Sequence, residues 1–176
     1  MKYQYLISQS KGNLELNPPY INGVISTNIF GLGAKWMFDK LNENKTAKKM
    51  QFNPSVNFFA YGFLKYAVSF FVFLFSAFLF FKVNLFLLPL SIITFYLAEV
   101  HFLFLFPILI DNVEKPIWTS IKQTYKAGLL TTLITVIPIG IYMIFGLLNF
   151  KNPFRNWYVG CLAILIWYQN EIRNRI

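Results

Sequence analysis

The sequence predicts an all-α, polytopic integral membrane protein with about four transmembrane helices, the fourth short. A cytoplasmic N-terminal segment carrying an interfacial amphipathic helix precedes them. Three observations predict this class. First, 56% of the 176 residues are hydrophobic and 20% aromatic, while 13% are charged, against roughly 25% charged in an ordinary soluble domain. A soluble fold of this length cannot hide so much Phe, Leu and Ile, because small domains keep a large surface for their volume. Disorder needs the opposite composition. Second, the apolar residues gather into runs long enough to cross a bilayer. Third, most Lys and Arg lie outside those runs, where they meet headgroups and orient the chain.

Residues 1–57 form the N-terminal segment. Met1 to Leu16 contains neither a long apolar core nor a small-residue cleavage site, so no cleavable signal peptide is expected. A turn is predicted at Asn17-Pro18-Pro19 and a basic patch at Lys45, Lys48 and Lys49. Between them, Ile29, Trp36, Met37 and Leu41 share one helical face, with Lys35, Asp39, Lys40 and Glu43 mainly on the other. Such a helix lies in the membrane interface or packs on the cytoplasmic ends of the spans. Gly31 and Gly33 weaken its first turn.

Residues 58–169 form the membrane domain. The first span covers about 58–81, roughly 36 Å of helix against a hydrocarbon core of about 30 Å. Phe on all its sides predicts contact with lipid all round or packing into a larger assembly. Lys65 is expected to snorkel to the near interface. Lys82-Val83-Asn84 allows only a tight return. The second span covers about 90–110 after a turn ending at Pro89, with a kink or early end expected at Pro107. Residues 116–126 predict a short interfacial helix with Pro at its first position; Ile117, Trp118, Ile121 and Tyr125 would face lipid. The third span covers about 127–148 and is expected to bend near Pro138 and Gly140. The last run, 157–168, gives only about 18 Å, with aromatic pairs at both ends. It reads as a short or tilted fourth span, or else as a re-entrant or core-buried helix. Residues 170–176 are the tail.

Lys and Arg counted over the loops place both termini in the cytoplasm, and the composition suits a bacterial inner membrane. The net charge of +9 is therefore a topology signal and not a nucleic-acid site. Cys161 is alone in an apolar stretch, a small packing residue. Asn44-Lys45-Thr46 matches a glycosylation acceptor, which a cytoplasmic location makes meaningless. Gly31-Leu32-Gly33 lacks the third glycine and the strand of a dinucleotide loop. No cofactor or metal is called for.

The candidate site residues are Glu99 and His101, near the centre of the second span. An ionisable group at that depth costs about 2.5–3.5 kcal/mol on insertion scales, so it faces a partner or a cavity. Residues two apart on a helix point about 200° from each other, which argues against a Glu–His dyad and for one polar contact on each side. Tyr96 shares the Glu99 face. Asp111, Glu114 and Lys115, at the membrane exit, are candidates for binding a substrate or a divalent ion; their plainer role is to cap the following helix.

Three functions are compatible with these features. The first is a small accessory or scaffold subunit of an inner-membrane complex, partnered by lipid and by other membrane subunits or copies of itself. The second is an enzyme acting on a lipid or isoprenoid substrate. The third is a proton-coupled small-solute transporter.

Overall fold

The computed structural model describes residues 3–16, 29–43, 51–152 and 154–175, all helical or irregular. The predicted turn at Asn17-Pro18-Pro19 and the basic patch at Lys45, Lys48 and Lys49 lie outside the described residues. The helices are α1 (Tyr3–Leu16), α2 (Ile29–Asn42), α3 (Phe58–Val83), α4 (Leu90–Glu99), α5 (Leu105–Ile110), α6 (Pro116–Ala127), α7 (Leu129–Leu147) and α8 (Arg155–Trp167). Three stretches are long and apolar enough to cross a membrane: α3, the α4–α5 stretch from Leu85 to Ile110, and α7. The chain is thus read as a multi-pass membrane protein.

The first two spans form an antiparallel hairpin. Asn57 starts α3, its Oδ1 accepting from the Ala60 amide at 3.0 Å. Asn84 ends it and turns the chain, its Oδ1 accepting from the Phe86 amide at 2.9 Å. The face of α3 turned to protein carries Gly62, Lys65, Ser69 and Ser76. Of these, glycine and serine are small enough to let helix backbones approach closely. At Gly62 a methyl group would lie 2.6 Å from the Phe30 ring of α2, and the Ser76 and Thr94 hydroxyls meet at 2.5 Å. The first span therefore has a distinct protein face and is not bare to lipid all round.

The second span breaks earlier than expected. The α-helix stops at Glu99, Val100–Phe102 tightens to 3-10 geometry, and α5 starts at Leu105 with Pro107 in its first turn. A proline disturbs the turn before it, because its ring collides with the carbonyl four residues back and it brings no N–H to that carbonyl. For Pro107 that carbonyl belongs to Leu103, inside the irregular stretch. By contrast, α7 runs unbroken through Pro138.

Helix α6 starts at Pro116 as predicted, but its inward face is polar: Ser120, Gln123 and Thr124 are buried. Those hydroxyls mend the broken span. Thr124 Oγ1 donates to the Val100 carbonyl and Ser120 Oγ to the His101 carbonyl, each at 2.9 Å. Trp118 and Tyr125 are exposed, as read from the sequence, whereas the partly buried Ile117 and Ile121 are not fully lipid-facing.

The core sits at the α5 end of the bundle. Phe104, Leu105 and Ile108 meet Val159, Trp167, Tyr168 and Ile172, all at most 1% exposed. Helix α8 supplies most of one wall, so the run 157–168 is a core helix in its packing. Helix α2 lies among α3, α5 and α8. Its Trp36 is buried edge-on to Tyr158. Helix α1 packs along α8 and α7 through Leu6, Ser10 and Leu14.

Candidate functional site

Two groups of polar side chains stand out, one inside the bundle and one at its α5 end. Inside, α3 and α4 run antiparallel and bring Lys65 opposite Glu99. Lys65 Nζ donates to Glu99 Oε1 at 2.9 Å, with side chains 9% and 18% exposed. The same Nζ stands 5.3 Å from the centre of the Tyr66 ring. Lys65 does not snorkel outward, because a carboxylate at its own depth neutralises it at shorter reach than the interface would. Glu99 is accordingly one half of an ion pair between two helices.

Glu99 and His101 meet different neighbours. The imidazole points away from α3: Nδ1 lies 2.7 Å from the Leu97 carbonyl and Nε2 lies 3.2 Å from the Tyr125 hydroxyl of α6. A carbonyl can only accept, so Nδ1 carries the proton and Nε2 accepts from the tyrosine in the neutral ring. Tyr96 turns to a third neighbour. Its hydroxyl lies over Gly140 of α7, where any side chain would collide with it.

At the α5 end, Asp111 does not cap α6. It accepts from the Tyr168 hydroxyl at 2.8 Å and from Arg173 Nη2 at 2.5 Å, while Arg173 Nη1 donates to the Leu41 carbonyl at 3.2 Å. One carboxylate thereby ties the end of the second span to the chain's last turns and, through Arg173, to α2. The phenol is the donor in its contact, because the carboxylate can only accept. The residue before α6 is Lys115, in left-handed geometry with φ 50° and no side-chain cap.

Glu114 and Lys115 line an open cleft of about 590 Å³ between the segment entering α3 and the loop joining α5 to α6. Its floor is apolar (Tyr61, Leu109, Val113) and its rim carries Asn53 and Asn112, whose side chains bond at 3.0 Å. Among the described residues, no cluster of three His, Cys, Asp or Glu side chains has the arrangement of a metal site.

The structure thus separates the candidates. Glu99 joins Lys65, His101 joins Tyr125, Asp111 joins Tyr168 and Arg173, and Glu114 with Lys115 faces the open cleft. Sequence reasoning missed the roles of Lys65, Tyr168 and Arg173. The signal for Lys65 was present: it stands nineteen residues before the Asn84 turn and Glu99 fifteen after it, a difference of about one helical turn. No family model matches the chain, and no curated protein or solved structure does either.

Proposed function

We propose that this chain is a small scaffold subunit of a bacterial inner-membrane complex, inserted with both termini in the cytoplasm. The observation that carries this reading is the use made of the buried charges. Lys65 with Glu99 and Asp111 with Arg173 are ties between elements, the work of a framework that holds helices in register. Both pairs join separate parts of the chain, and breaking either would leave a buried charge without its partner. The orientation draws on the basic residues: the N-terminal lysines, Lys115, Lys122, Lys126, Arg173 and Arg175 on one side, Lys82, Lys151 and Arg155 on the other. Arg173 beside Asp111 brings the chain back to the end where the second span finishes, with α8 as the short returning crossing.

Native mass spectrometry of the tagged chain, extracted gently from its own membranes, tests the proposal. A stoichiometric complex with other subunits is the expected result. A lone monomer or homodimer overturns it. If that species retains a specific lipid, the second reading replaces it: an enzyme on a lipid substrate, which the Glu114–Lys115 cleft favours by its apolar floor and polar rim.

A further inference from the structure

The cleft at Glu114 and Lys115 lies where two spans reach the membrane surface. Helix α3 starts at Phe58, after its cap Asn57, and the second span ends at Ile110. Asn53 Nδ2 donates to Asn112 Oδ1 at 3.0 Å, so these two ends stand side by side. With both spans across the bilayer, the polar rim of the cleft lies among the headgroups. Tyr61 and Leu109 of its apolar floor lie within the helices, on the hydrocarbon side of those ends. The cleft therefore passes from polar to apolar along the membrane normal, as a phospholipid does.

The loop that forms much of the rim has a constrained backbone. Asn112 and Lys115 hold left-handed geometry, with φ 54° and 50°, and no other non-glycine among the described residues does so. Asparagine tolerates that region, whereas a lysine there is strained. This loop sets two opposite charges, Glu114 and Lys115, on the lining of one cleft. An anionic headgroup is drawn to the ammonium and repelled by the carboxylate next to it. A zwitterionic headgroup satisfies both: its amine donates to the Glu114 carboxylate, and its phosphate accepts from Lys115 Nζ. A primary amine has the N–H donors for this contact, and a trimethylated one has none. The volume of about 590 Å³ falls within the range of roughly 300–1,000 Å³ of small-molecule sites.

We propose that this cleft holds one phosphatidylethanolamine, with its aminoethyl phosphate between Glu114 and Lys115 and its glycerol over the apolar floor. The site rests on the cleft and the two spans, and not on the scaffold reading.

The test uses the full-length chain with any subunits that copurify, stripped of lipid in detergent and followed by native mass spectrometry. Phosphatidylethanolamine, phosphatidylcholine and phosphatidylglycerol with identical acyl chains are added in equal amounts. One bound phosphatidylethanolamine is expected, retained roughly tenfold better than either competitor, as one charge-assisted hydrogen bond allows. Glu114→Gln should abolish the preference, and Glu114→Lys should turn it toward phosphatidylglycerol. Lys115→Gln should weaken retention of all three lipids, because each carries the phosphate. Lys122→Gln, on α6 outside the cleft, should change nothing. Glu114 and Lys115 are exposed, so these variants should fold, and circular dichroism checks that they do. Equal retention of the three lipids, or a preference that survives Glu114→Gln, would overturn the proposal. So would displacement by an equal amount of glycerophosphoethanolamine, which carries the headgroup without acyl chains and would make the occupant a soluble molecule. The same spectra judge the scaffold reading separately, by the presence or absence of other subunits.

Discussion

The tip of the α3–α4 hairpin and the core around α5 and α8 have similar apolar composition and opposite surroundings. At the tip, Phe78, Phe81 and Phe86 are 57%, 60% and 90% exposed. The two helices hold together there by the Ser76–Thr94 hydroxyl contact and the edge-on Phe73–Phe95 pair. In the core, Phe104, Trp167 and Tyr168 are at most 1% exposed, and Phe104 meets both of the other rings. The tip is built for a surrounding solvent of acyl chains. The core is built as a soluble domain is, by side chains filling one another's gaps. Small and polar residues mark the protein-facing sides, and large apolar ones mark both lipid and core.

The comparison is broken most forcefully at the Lys65–Glu99 pair, where the hairpin enters the core. Glu99→Ala leaves an ammonium buried without a counter-charge and should cost about 3–5 kcal/mol of stability, the range for breaking one partner of a buried pair. Removing both charges with Lys65→Met and Glu99→Ala should recover most of that loss. Reversible unfolding in detergent micelles, followed by tryptophan fluorescence, measures it. A double variant as unstable as the single one would show that the pair does not tie the hairpin to the core.

How far the sequence shows this organisation differs between the two regions. The hairpin was legible: an apolar run, the Lys82-Val83-Asn84 return and a second run leave one arrangement. Even its protein face was written in the chain, since Gly62, Ser69 and Ser76 recur every seven residues among phenylalanines. The core was less legible, because hydropathy cannot tell hydrocarbon from protein interior, both being apolar. The run Trp157 to Tyr168 reads as a membrane anchor for that reason, though its residues mostly face other residues. The break at Val100 was hidden because it begins about two turns upstream of Pro107, beyond the Leu103 carbonyl that the ring disturbs. The partners of its freed carbonyls, Ser120 and Thr124, lie about twenty residues away, on a helix whose apolar residues and lysines suggested an interfacial role. The Asp111–Arg173 tie joins residues far apart in sequence; their charges placed both on one side of the membrane without showing that they touch.

A second test sharpens the comparison at two glycines near α2. Gly62→Ala should cost about 1–3 kcal/mol, as overpacking does, because the new methyl strikes the Phe30 ring. Gly33→Ala, in α2 itself, meets nothing within 4 Å and should stabilise by about 0.5–1 kcal/mol through the better helix propensity of alanine. The same unfolding measurement reads both. Equal effects would mean that α2 is not held against α3.

The smallest effect belongs to the hairpin tip. Phe86→Ala should change stability by no more than about 0.5 kcal/mol, the range of surface substitutions. The side chain is 90% exposed, and its removal opens no cavity. Its loss from the bilayer also cancels: helices that come apart within a membrane or micelle stay in it, so Phe86 meets the same apolar surroundings before and after separation. A loss of several kcal/mol in micelles would place protein over Phe86, and the tip would then belong with the core.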